Sequence, residues 1–201
     1  MFIRTEEQSA HDNYKLLIGS VVPRPIAFVT SVNEEGIVNA APFSFFNIVN
    51  NDPPMLMFSC GRLPNGEMKG TSRNIVSNKE FVVHIVDEAN IEAINYTSIN
   101  SPHGISEISL AGLTTIPGVA IQVPRVQECK IAMECKLVQH VDLGNSDMII
   151  GEVLSFYIED ELYEGGRINV DKLQPVSRLA GATYSTIGLT FDLARPQYDS
   201  K

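Results

Sequence analysis

Three basic residues at close spacing, Arg62, Lys69 and Arg73, bracket a run of hydroxyl and amide side chains at Thr71, Ser72 and Asn74. Read as a strand passing into a helix, this segment offers free N–H groups and the positive end of a helix dipole beside a lysine. That is the chemistry that holds a phosphate. The same residues also describe a capped surface helix with solvated cations, and the spacing alone fits both. Just upstream, Asn39 to Pro54 reads NAAPFSFFNIVNNDPP. Phe43, Phe45 and Phe46 make it too aromatic for a solvated loop. Pro42, Pro53 and Pro54 remove too many backbone donors for a buried strand. A segment both aromatic and irregular suits the wall of a pocket, where ring faces pack on a flat ligand and small residues let the backbone come close.

Other chemistries find less support. Gly61 and Gly66 have the spacing of a P-loop, but Glu67 stands where that motif needs lysine. Neither a G-x-G-x-x-G fingerprint nor a G-x-S-x-G elbow occurs. His11, His84, His103 and His140 are scattered without metal-ligand spacing. His84, within a strand, reads as a core histidine satisfied by hydrogen bonds, whereas His103 reads as part of the flexible loop SPHGIS, with a position lining a cleft as the alternative. Three cysteines do not make a disulfide framework. Cys129 and Cys135, on one strand, would lie roughly 20 Å apart, beyond bridging distance, and read as core filling. Cys60, after a strand end, also reads as structural, and is the one thiol whose reactivity is worth testing.

The elements that must position these residues are mostly strands. Residues 24 to 32, RPIAFVTSV, and residues 37 to 42 flank the polar turn Asn33-Glu34-Glu35-Gly36, which predicts a hairpin. PMLMFSC (54 to 60) and Glu80 to Val86 read as buried strands. Between them Met68 to Ser77 predicts a helix capped by Thr71 or Ser72, with Ile75 and Val76 toward the core. Shorter helices are expected over Ile91 to Ile99 and Ser106 to Leu113. From Cys129 to Leu137 apolar and polar residues alternate with period two, a half-buried strand. The turn DLGNSD (Asp142 to Asp147) joins it to a strand over Met148 to Ile158. From Asp171 onward the chain reads as irregular. Hairpin-joined strands with few helices point to an antiparallel barrel rather than a βαβ sheet.

The chain has 201 residues, 44% hydrophobic and 19% charged, enough for one core and one domain over 1 to 201. A net charge of −9 argues against nucleic acid as a partner. No run is long enough for a transmembrane helix and the N-terminal stretch has no apolar signal core, so a cytoplasmic location without membrane attachment is expected.

Four segments in order, PRPIAFVTS (Pro23 to Ser31), NAAPFSFFN…DPP (Asn39 to Pro54), KGTSRNI (Lys69 to Ile75) and SEISLAGL (Ser106 to Leu113), resemble the flavin reductase-like family, in its flavoredoxin-like branch. GEV (Gly151 to Val153) and the region of Leu179 to Tyr184 support the likeness, which spans roughly residues 15 to 185. The resemblance implies a mainly β fold, the antiparallel Greek-key split β-barrel that binds FMN, and a homodimer with FMN near the subunit interface. It also implies an FMN-dependent oxidoreductase with NAD(P)H or a protein as reductant, or alternatively a non-enzymatic electron carrier with redox protein partners. By the same resemblance Ala41, Pro42, Phe43, Ser44 and Phe45 border the flavin ring and ribityl chain, and Ser59, Cys60 and Gly61 continue that wall. Lys69, Thr71 and Asn74 serve the phosphate end, with Arg24 and Arg62 as further contacts and no metal. Glu107 and Ala111 to Leu113 match a helix and loop near the pocket mouth. Two positions depart from the family pattern. Gly70 replaces the usual Asp. Asn145-Ser146-Asp147 stands where many reductase components carry a histidine that helps receive the nicotinamide.

Overall fold

The structure, a computed structural model, describes residues 1–99 and 104–198. Seven strands form its main sheet: β1 (Ala27–Val32), β2 (Val38–Phe43), β3 (Phe46–Asn51), β4 (Pro54–Gly61), β5 (Glu80–Ile85), β6 (Ile131–Asp142) and β7 (Ser146–Ile158). Their order across the sheet is β2-β1-β5-β6-β7-β4-β3, with every neighbouring pair antiparallel. Three pairs are hairpins, as the sequence predicts for β1–β2 and β6–β7. The sheet curls until β2 meets β4, and the Phe43 and Phe58 rings lie 4.9 Å apart. No ladder joins β2 to β3, so the barrel is split there. The two edge strands are consecutive in the chain, linked only by Ser44 and Phe45.

Among the described residues five α-helices decorate this sheet: α1 (Ala10–Ser20), α2 (Gly70–Asn78), α3 (Ile91–Tyr96), α4 (Glu107–Leu110) and α5 (Val170–Leu173). α2 carries the chain from β4 back to β5 and buries Ile75 among the barrel's inner residues, which include Val29, Phe58, Phe81, Cys135 and Ile149. A second apolar cluster lies on the outer face, where Ile26, Phe28, Ala40, Val86, Ile94 and Ile108 meet. The segment Ile26 to Val29 therefore feeds both clusters alternately, which is why RPIAFVTSV reads as an unbroken apolar run rather than an alternating one.

The structure corrects several sequence expectations. NAAPFSFFNIVNNDPP is not irregular throughout: it forms β2 and β3 on either side of a two-residue link. Its prolines are tolerated where they stand: Pro42 on the edge strand β2, Pro53 in the β3–β4 turn and Pro54 as the first residue of β4. Ala40 N–H points away from β1 to the Glu107 carboxylate at 3.1 Å, and Pro42, two residues on, faces the same open edge and leaves no ladder bond unmade. Asn51 to Pro54 closes the β3–β4 hairpin. At α2 the N-cap is Lys69, with no side-chain cap, while Thr71 and Ser72 lie inside the helix and are buried. The strand expected from Cys129 begins at Ile131. After Asp171 the chain is less irregular than expected: α5 spans Val170–Leu173, and Ser177–Arg178 joins Arg24–Pro25 and Tyr184–Ser185 in a small sheet. Among the described residues no helix is long and apolar enough to cross a membrane.

Candidate functional site

The link across the split has an unusual backbone. α4 covers part of the β2 edge: Glu107 Oε2 accepts from Ala40 N–H, and Ser106 Oγ donates to Val38 O at 2.6 Å. Beyond Ala40 no described residue hydrogen-bonds to the outer edge of β2. Among the described residues neither Ser44 N–H nor Phe45 N–H has a backbone acceptor, while Phe45 O accepts from Ser59 N–H at 2.9 Å. That bond joins the link to the end of β4. Ala41, Pro42, Phe43, Ser44 and Ser59 are half-buried and Phe45 is exposed, so the predicted wall is accessible, with two donors in it. Cys60 and Gly61 follow Ser59, the thiol turned into the barrel and the glycine exposed.

The start of α2 adjoins this wall. Burial pushes the Cys60 thiol up, and the Lys69 ammonium acts against that shift from nearby. A buried, protonated thiol is a poor nucleophile, and Cys60 is buried, as are Cys129 and Cys135. Lys69 itself is exposed. Thr71 and Asn74 are buried and anchor the helix: Thr71 Oγ1 accepts from Asn39 Nδ2 at 2.8 Å, and Asn74 Nδ2 donates to Ser31 Oγ at 3.3 Å. The Asn39 bond also explains Gly70, where a Cβ would come within 3.0 Å of Asn39 Oδ1.

Two predicted arginines are spent within the protein. Arg24 is buried, and its guanidinium donates to Ile18 O and Val21 O at 2.7 Å each and to Leu179 O at 2.8 Å, closing the end of α1. Arg62 pairs with Asp147 Oδ1 at 2.7 Å and Asp142 Oδ2 at 2.9 Å across the β6–β7 turn. Burial alone would push the Asp147 carboxyl up, but hydrogen bonds from Arg62 and His140, with their charges, hold it below the usual carboxylate range. His140 Nε2 lies 2.8 Å from Asp147 Oδ1. A histidine thus reaches this turn after all, from the neighbouring strand rather than from positions 145 to 147. His84 is the expected core histidine, with Nδ1 2.9 Å from Phe28 O and Nε2 accepting from Val126 N–H at 2.8 Å. His103 lies outside the described residues.

On the other side of Pro42, Phe43 and Ser44 opens a cleft of about 110 Å³. Its far wall comes from Ile91, Ile94, Asn95 and Ser98, and from Arg178 and Tyr184. Arg178 lies 4.5 Å from the Tyr184 ring centroid and donates to Tyr184 Oη at 2.6 Å, which in turn donates to Asn95 Oδ1 at 2.7 Å. Sequence reasoning missed these three residues as a group, because a contact between positions 95 and 184 leaves no local pattern. The only pointer was the likeness around Leu179 to Tyr184.

Comparison with known proteins agrees with this architecture. The crystal structure of nitrilotriacetate monooxygenase component B from Bacillus cereus is 48% identical, covers 96% of this chain and 98% of that one, and superposes with a TM-score of 0.93. The 2-nitrobenzoate 2-nitroreductase NbaA of Pseudomonas fluorescens is 35% identical over 100% of this chain and 99% of its own, with a TM-score of 0.91. Flavoredoxin of Desulfovibrio vulgaris (Miyazaki F), 23% identical over 87% of this chain and 92% of its own, shares the fold at a TM-score of 0.76. The model of the flavin reductase like domain matches residues 18–172, and the chain belongs to the flavin reductase-like family.

Proposed function

We propose that the protein is an FMN-binding oxidoreductase of flavin reductase type. The observation that carries this reading is the link at Ser44 and Phe45: two backbone N–H groups with no acceptor among the described residues, flanked by aromatic side chains beside the β2 edge. A flat heterocycle with carbonyl oxygens on its rim satisfies such donors while its faces pack on the rings. Ala41 to Phe45 and Ser59 to Gly61 hold and shield the ring. Lys69 supplies the charge for the phosphate end, with Thr71 and Asn74 fixing the helix that presents it. Donors aimed at the ring stabilise negative charge on it. The bound flavin supplies the electron transfer itself.

The homodimer expected for the family belongs to this reading. It is supported by the alternating apolar residues Ile187, Leu189, Phe191 and Leu193, which are exposed. Electrons would come from NAD(P)H or from a redox protein. The relatives named above, a monooxygenase component and a nitroreductase, support a redox role. The test is the visible spectrum of the purified protein with added FMN, followed by anaerobic mixing with NADH or NADPH. A flavin spectrum that bleaches at a catalytic rate is expected. Bleaching only with a reduced protein donor would make it an electron carrier, and failure to retain FMN would sink the flavin reading.

A further inference from the structure

The cleft beside the link has a chemistry of its own. Its body is apolar, formed by Phe43, Ile91 and Ile94, and of its described lining residues only Arg178 carries a charge. Arg178 is half-buried, and among the described residues its hydrogen-bond acceptors are all neutral oxygens. Nε and one Nη donate to Gly181 O at 3.0 and 2.5 Å, and the other Nη donates to Tyr184 Oη at 2.6 Å. Of the five guanidinium N–H groups, two remain. A partly desolvated cation with neutral partners only is a standing attraction for an anion, and the planar fork favours a carboxylate. Tyr184 and Asn95 hold the fork in place through their own hydrogen bond.

From this geometry we infer that the cleft is a subsite for a small carboxylic acid with an apolar body about the size of one ring. Its carboxylate lies on Arg178 and its body lies between α3 and Phe43. Size supports the choice. An apolar cavity of about 150 Å³ accommodates benzene, so a cleft of about 110 Å³, open to solvent, takes a single ring and not a dinucleotide. The inference deepens the flavin reading, since Pro42 to Ser44 line both this cleft and the proposed ring wall, and it names the class of molecule that the flavin would meet.

The probes are benzoate, its neutral analogue benzyl alcohol, and inorganic pyrophosphate, each titrated calorimetrically into the protein with and without FMN. Benzoate is expected to bind at least tenfold more tightly than benzyl alcohol. Arg178→Gln should remove that preference while leaving benzyl alcohol unchanged, and Arg178→Lys should restore part of it. Should Arg178→Gln fail to fold, the preference of the unaltered protein and its reduction in Tyr184→Phe carry the test. Equal affinity for the two ring compounds overturns the inference, as does benzoate binding that ignores Arg178. Tighter, Arg178-dependent binding of pyrophosphate overturns it too, because the cleft then takes a phosphate group. Absence of FMN binding would remove the flavin reading alone, since the benzoate titration does not depend on it.

Discussion

Lys69 stands at the start of α2, exposed, and among the described residues its ammonium forms no ion pair. If it serves the phosphate of FMN, Lys69→Ala removes one charge-assisted contact. Affinity should fall by about 1.5–3 kcal/mol, measured by quenching of flavin fluorescence on binding. An unchanged dissociation constant would release Lys69 from that role. His84 makes a different kind of prediction. Burial lowers its pKa to about 4 from the ordinary 6.5, and the neutral ring is held between Phe28 O and Val126 N–H. A folded-state pKa below the unfolded value means that this contribution is complete above the unfolded pKa. It is lost as pH falls toward the folded pKa, up to about 3 kcal/mol. Urea midpoints measured from pH 7 to 5 should therefore decline, and the decline should flatten in His84→Gln. The role of His84 was legible in the sequence because a histidine inside a strand has few other fates. The fate of Arg62 was not. Its neutralisation by Asp142 and Asp147 depends on β4 pairing with β7, a contact 85 residues apart in the chain.

At the scale of elements, Gly151 shows how tightly the strands are packed. A Cβ at this position of β7 would meet Phe81 Cζ at 2.3 Å and Cys135 Cβ at 3.3 Å. Phe81 is buried between these strands and has no room to retreat. Gly151→Ala should cost about 1–3 kcal/mol of stability, read as a lower midpoint of urea unfolding with an unchanged slope. Most strands could be located from period and turn residues. β3 escaped because prolines on both sides made the segment read as broken, a rule that holds for central strands and not for edges. α1 escaped because its face is weakly apolar and buries only Ile18. Its signal was the cap, Ser9 with Asp12, where Asp12 N–H donates to Ser9 Oγ at 3.1 Å.

The whole molecule is a ladder of hydrogen bonds with two loose ends, β2 and β3, that the chain brings together at a single link. The order of motifs foretold a barrel of this kind, but the split could not be seen locally because it is defined by a pairing that is not made. The split has a mechanical consequence. The Ser59 N–H to Phe45 O bond only extends the β3–β4 pairing by one residue, so the β2 and β3 edges are joined by no ladder and can part without breaking one, which makes this the line of least resistance for local opening. A ligand lying along the link touches both edges and acts as a removable stitch. Amide hydrogen exchange at 39–45 and at 46–51 should then slow together when FMN is added, while exchange in β6, far from both edges, should stay as it was. Slowing confined to one edge would mean that the ligand rests against the barrel without closing it.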